Sequence, residues 1–257
     1  MAIIKEAKVD NLVVKAYETR TEMGLEAAKE AAAAIKKALA EKAEISIIFA
    51  AAPSQNEFLA SIIADKDIDW TRVNACHMDE YVKLDPAAPQ GFGNFLRDRI
   101  FSKVPFKSVS YLNGNADDIE AECARYSALV KDGVDFVMMG IGENGHIAFN
   151  DPHVAFFNDP KAVKVVELDQ KCRQQQVNDG CFKAIDEVPT HALTLTIPTL
   201  FAGKQLFCMV PAPTKADAVY ATITGPVEEK CPASILRRHS NATLYIEKDS
   251  AAKWLAE

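Results

Sequence analysis

Four short segments carry residue types able to do chemistry without a metal or cofactor. Met78-Asp79-Glu80-Tyr81-Val82 sets two carboxylates side by side, and a carboxylate tuned by burial or by a neighbour can act as a general base. The stretch Gly140-Ile141-Gly142-Glu143-Asn144-Gly145-His146-Ile147-Ala148-Phe149-Asn150-Asp151-Pro152 places one histidine between Asn144 and Asp151. Histidine titrates near neutrality, so His146 suits a proton shuttle whose tautomer an amide or carboxylate fixes. Ala52-Pro53-Ser54-Gln55-Asn56-Glu57 opens an apolar helix, and a helix start is a ready anion site. In Pro211-Ala212-Pro213-Thr214-Lys215 a lysine opens another helix, an unfavourable place for a cation unless it faces an anion.

Each segment also has a plainer reading. Asp79-Glu80 alone fits a solvated acidic turn, His146 a loop histidine satisfied by backbone, and Lys215 a surface lysine. Ser54 and Glu57 together form a capping box. The glycines of 140–145 match a dinucleotide fingerprint. However, Pro152 biases Asp151 away from helix and leaves no room for the helix such a site requires. The glycines fit close backbone approach to a small ligand better. His77, His153, His191 and His239 lack metal-ligand spacing, and no G-x-S-x-G nucleophile elbow occurs. No metal and no cofactor are therefore expected.

These loops must be positioned by a scaffold, and the rest of the sequence describes one. The 257 residues are 49% hydrophobic, enough for one sizeable core. A helix is expected over 22–42, strands over 45–49 and 72–76, and helices over 54–63, 92–101 and 119–131. Further strands are expected over 134–139, 193–197, 206–210 and 243–246, with a helix over 216–222. Short apolar strands alternating with amphipathic helices imply an α/β fold. The expected form is a single doubly wound, Rossmann-like domain over 1–257, with a mostly parallel sheet and helices on both faces. All four segments follow expected strands, where loops converge on one crevice.

A net charge of -7 disfavours nucleic-acid or acidic-membrane partners. Met1-Ala2-Ile3-Ile4-Lys5-Glu6 lacks a signal-peptide apolar stretch, and the six cysteines form no Cys-x-x-Cys pair. Reduced thiols and a cytoplasmic location are expected, while a homo-oligomer stays open.

In the order and spacing of Met78–Val82, Leu112-Asn113-Gly114-Asn115-Ala116, Gly140–Pro152, Val188-Pro189 with Ala192-Leu193-Thr194, and the Lys215 region, the chain resembles the glucosamine-6-phosphate deaminase family. The resemblance implies a metal-free conversion of glucosamine 6-phosphate and water to fructose 6-phosphate and ammonia. It implies that Asp79 moves a proton between C2 and C1 and that His146 serves ring opening. Asn144 and Asp151 would then orient the imidazole, while Lys215 and the helix start at Ser54 hold the phosphate, with Gly142 allowing close approach. Three positions depart from the family. Ala52-Pro53-Ser54-Gln55-Asn56 replaces a Gly-Gly-Thr element, Asn144 stands where some members carry Asp, and Asp151 stands where many carry Glu. The resemblance places the family's phosphate-binding arginine at Arg173. Lactone hydrolysis or isomerisation of another sugar phosphate, and sugar-phosphate binding without catalysis, remain as alternatives.

Overall fold

The computed structural model describes residues 3–257; Met1 and Ala2, which opened the expectation of no export signal, lie outside the described residues. The chain begins with an antiparallel hairpin of β1 (Ile3–Val9) and β2 (Leu12–Tyr17). Asp10 takes the left-handed conformation (φ 52°) at its turn, which short polar side chains tolerate. Helix α1 (Arg20–Glu41) starts at Thr19, whose side chain accepts the Glu22 N–H, supplying one of the helix's orphan donors with a partner. Its buried face is mostly alanine, including Ala27, Ala28, Ala31 and Ala32.

The elements that follow are β3 (Ile45–Phe49), α2 (Asn56–Ile62), β4 (Val73–His77), β5 (Asp79–Tyr81) and α3 (Phe92–Leu96), which continues as a wider turn to Phe101. Then come β6 (Ser108–Ser110), α4 (Ile119–Val130), β7 (Phe136–Met139), β8 (Val163–Glu167) and α5 (Gln170–Asn178). The last are β9 (His191–Leu195), α6 (Ile197–Phe201), β10 (Gln205–Val210), α7 (Ala216–Thr224), β11 (Ala242–Glu247) and α8 (Ala252–Leu255).

The main sheet has the order β1-β2-β11-β10-β7-β3-β4-β6 and is parallel from β2 onward. Alternate residues of its central strands feed two separate apolar clusters. Ile48, Val137, Met139, Cys208 and Val210 lie in one cluster, and Ile47, Phe49, Phe136, Met138 and Met209 in the other. Both faces are covered, which is why these strands read as unbroken apolar runs. The parallel doubly wound expectation therefore holds for the main sheet.

Several elements escaped the sequence reading. The hairpin, β5, β6, β8 and α5 were not foreseen, nor was a second antiparallel sheet, β5-β9-β8. The strand expected over 193–197 is β9 of that small sheet and stops at Leu195, because Ile197-Pro198 opens α6. Proline suits the first turn of a helix, where its missing N–H is no loss.

Helices α1 and α2 pack closely through Gly24: a Cβ there would lie 2.5 Å from Glu57 Cβ and 2.9 Å from the Phe58 nitrogen. Gly24→Ala should destabilise the fold by about 1–3 kcal/mol through overpacking, despite alanine's better helix propensity. Thermal unfolding followed by circular dichroism checks this; an unchanged or raised melting temperature would refute the close approach.

Candidate active site

Loops from the carboxyl ends of β3, β4, β7 and β10 line one cleft, together with a face of α5 and the start of α1. After β3 the chain passes through Ala50–Ala52 into a tight turn over Pro53–Gln55. Gln55 is 1% exposed. Its Nε2 donates to the carbonyls of Met139 and Met209, each at 3.3 Å, and lies 3.1 Å from Ser54 Oγ. Gln55 Oε1 is buried without a partner. The expected capping box does not form. Ser54 sits in the preceding turn, and Glu57 is drawn to Arg20, which grips its carboxylate at 2.7 and 2.9 Å. Arg20 lines the cleft and was missed because the sequence pattern started α1 two residues later.

The two carboxylates after β4 have separate fates. Glu80 accepts the N–H groups of Tyr81, Phe92 and Gly93 at 2.9, 3.0 and 2.8 Å, tying β5 to the start of α3. Asp79 instead faces the cleft. Burial, and secondly the charge of Glu80, push its carboxyl well above the ordinary carboxylate range, a direction that suits a base working near neutrality. His77 is structural. Its Nε2 accepts the Leu112 N–H at 3.0 Å, so Nδ1 carries the proton and donates to the Asp79 carbonyl at 2.8 Å.

After β7, Asn144 Oδ1 accepts the backbone N–H of His146 at 3.0 Å and lies 2.7 Å from its Nδ1. Asp151 Oδ1 lies 3.0 Å from the same nitrogen. The Asn144 amide bridges Asp151 and Asp169 at 2.9 and 2.8 Å, and Asp151 Oδ2 accepts the Asp169 N–H at 3.0 Å. Two acceptors on Nδ1 place the proton there, which leaves Nε2 free to accept one. Burial alone would raise the Asp151 carboxyl, but hydrogen bonds and charge from His146, then Asn144 and the Asp169 N–H, hold it below the ordinary range. Gly142 lies against the imidazole so closely that a Cβ would overlap the ring. Asn150 fixes the loop to the small sheet, donating to the Leu195 carbonyl at 2.8 Å.

After β10, Ala212 adopts φ 91°, strained for a residue with a side chain, and its N–H donates to Glu247 Oε1 at 2.8 Å. This turn delivers Lys215, 4% exposed, whose ammonium makes no hydrogen bond or salt bridge among the described residues. Burial lowers its ammonium pKa, against the charges of Asp179 and Glu143.

The structure thus brings Asp79, His146, Gly142, Ser54 and Lys215 into the cleft, with Asn144 and Asp151 behind the imidazole. Arg173 is not brought in. Its Nη2 is spent on the carbonyls of Ile185 and Val188 at 2.6 and 2.9 Å, closing the loop after α5. That helix instead presents Gln175, Gln176 and Asp179 to the cleft, which its weakly amphipathic sequence did not reveal. Two groups bring potential metal-ligand atoms within 4.8 Å: His146, Asp151 and Cys172, and Asp151, His153 and Asp169. In both, Asp151 already has its oxygens engaged by His146, Asn144 and the Asp169 N–H.

A buried carboxyl, a histidine and a buried lysine gathered at the carboxyl ends of parallel strands fit an enzyme of the doubly wound α/β class. Comparison narrows it. Residues 18–245 match the model of the glucosamine-6-phosphate isomerases/6-phosphogluconolactonase family, and the chain belongs to that family. It is 34% identical to a glucosamine-6-phosphate deaminase of Listeria welshimeri over 233 residues, covering 90% of this chain and 97% of the relative. A glucosamine-6-phosphate deaminase of Streptococcus equi subsp. zooepidemicus is 33% identical, over 91% of this chain and 97% of its own. Among solved structures, a monomeric glucosamine-6-phosphate deaminase superposes with a TM-score of 0.84 at 31% identity, over 93% of this chain and 98% of that one. A Thermotoga maritima 6-phosphogluconolactonase shares the fold (TM-score 0.75, 17% identity, 92% and 100% covered).

A carboxyl whose folded-state pKa is raised favours its protonated form, so folding stability is lost as pH rises from the unfolded value through the folded one. At neutral pH the Asp79 carboxyl therefore opposes folding relative to acid pH. Asp79→Asn should raise the melting temperature at pH 7, with less gain at pH 4, while lowering kcat by about 10²–10⁴-fold as for a lost general base. Paired thermal scans and turnover assays test this; a variant that melts lower at pH 7 or keeps full turnover would refute the role.

Proposed function

We propose that this protein converts glucosamine 6-phosphate and water to fructose 6-phosphate and ammonia. The carrying observation is the convergence of a buried Asp79 carboxylate, the free Nε2 of His146 and the unpaired Lys215 ammonium on one cleft. Lys215 is the natural partner of the substrate's phosphate, helped by the Ser54 hydroxyl at the turn after β3. With its Nδ1 proton held by Asp151 and Asn144, His146 can take the C1 hydroxyl proton at Nε2 and return a proton to the ring oxygen, opening the hemiacetal. Asp79 then removes the C2 proton of the open-chain amino aldose and returns one to C1. Water hydrolyses the resulting imine, releasing ammonia and leaving the ketose phosphate. The stacked rings of Phe92 and Phe149, 5.3 Å apart, give part of the cleft an apolar wall that favours proton transfer over exchange with solvent.

A lactone hydrolase of the same fold has no C2–C1 proton transfer to perform, so a buried carboxylate with a raised pKa favours the deaminase. No helix among the described residues is long and apolar enough to cross a membrane, which fits the expected cytoplasmic location.

Ammonia and ketohexose 6-phosphate should appear in equal amounts from glucosamine 6-phosphate. Hydrolysis of 6-phosphogluconolactone without ammonia release would overturn the reading. Lys215→Met should raise KM by about 10- to 100-fold, the worth of a charge-assisted hydrogen bond, with a smaller effect on kcat. A KM unchanged by this substitution would remove Lys215 from the phosphate site.

A further inference from the structure

Helix α5 runs between the two working ends of the cleft. At one end the Cys172 thiol lies within 4.8 Å of the ligand atoms of His146 and Asp151. At the other, Asp179 is the acid whose charge acts most strongly on Lys215. Cys172 and Asp179 are seven positions apart along the helix, about 10 Å of axial rise, comparable to an open six-carbon chain with its terminal phosphate. Midway stand two adjacent glutamines, both 6% exposed and both lining the cleft. Gln175 is fully employed, its Oε1 accepting the Glu143 N–H at 2.8 Å and its Nε2 reaching Asp179 at 3.2 Å. Gln176, though equally buried, makes no side-chain hydrogen bond among the described residues. Neither polar atom of its amide is sealed from solvent, so the amide opens onto the cleft, where a ligand can meet both its donor and its acceptor.

The geometry points to Gln176 as a specificity-determining residue that reads the sugar hydroxyls between the phosphate and the reacting carbons, an inference resting on the proposed function. An amide carries both donor and acceptor, so it can pair with hydroxyls at neighbouring carbons and register their configuration. Its mid-helix position, between the acid–base end and Lys215, matches C3–C4 rather than the phosphate. Lacking a protein partner, the amide contributes to ligand binding and not to the fold.

Calorimetry with two unreactive probes tests this independently of turnover: sorbitol 6-phosphate, which carries the six-carbon hydroxyl chain, and glycerol 3-phosphate, which carries the phosphate on only three carbons and lacks the hydroxyls the amide would read. Gln176→Met, nearly isosteric, should weaken sorbitol 6-phosphate about 10- to 100-fold, leave glycerol 3-phosphate within about twofold, and not lower the melting temperature; Gln176→Leu should behave alike. Lys215→Met should weaken both probes. Unchanged sorbitol 6-phosphate binding in both Gln176 variants, an equal loss for both probes, failure of the parent to bind sorbitol 6-phosphate, or a lowered melting temperature in both variants would overturn the assignment. Absence of ammonia release alongside the expected binding pattern would sink the deaminase reaction while leaving the hydroxyl-reading role standing.

Discussion

Asp79 and Lys215 are ionisable groups buried in the same cleft, and among the described residues neither forms a salt bridge. Taking a charge out of water without a partner is among the costliest things a fold can do, and both groups respond in the expected direction, the carboxyl raised and the ammonium lowered. Neither could persist on a mobile loop, because the chain would relax and rehydrate it. Each sits directly beyond a strand of the parallel sheet, and the two covered faces of that sheet hold the strand ends in place. The cleft's architecture follows from keeping these charges apart and dry until a ligand arrives.

The two sheets divide the work. Asp79 is the first residue of β5 and pairs with Thr194 in the small sheet, and the His146 loop is tied to the same sheet through Asn150 and Leu195. Ser54 and Lys215 follow strands of the large sheet. Asp79 and His146, proposed to move protons, thus hang largely from one framework, and Ser54 and Lys215, proposed to hold the phosphate, from the other, with α5 between them. The network behind His146 extends through Asn144 and Asp151 to Asp169, whose carboxylate also accepts the Cys172 N–H at the start of α5. Orientation of the imidazole and placement of that helix are therefore one problem, solved by a single aspartate.

Much of this was legible in the sequence. The apolar runs around Ile47, Val137 and Cys208 could only be strands covered on both faces, and the residues after them had to meet. The Gly140–Pro152 loop left His146 open to a plainer reading, and it was the resemblance to a known family that singled out His146 and Gly142. What could not be read was decided by distant partners. Arg173 looks like a phosphate ligand until two carbonyls from the following loop claim it. Glu57 looks like a cap until Arg20, 37 residues away, takes its carboxylate. The small sheet stayed hidden because β5 is three residues long, too short for a periodic pattern, and α5 because its glutamines mark neither a core face nor a solvent face.

The bonds from Gln55 to Met139 and Met209 bind the Ser54 loop to the ends of two neighbouring strands. A loop pinned this way has surrendered its conformational entropy during folding, so little remains to be lost when an anion arrives. Such an anchor would lock at nearly its encounter geometry, with association governed by diffusion and desolvation rather than by loop rearrangement. A loop of glycines in its place would leave part of that ordering to the binding step. At the proposed phosphate site, the pinned side chains of this loop thus trade adaptability toward differently sized anions for a rigid seat.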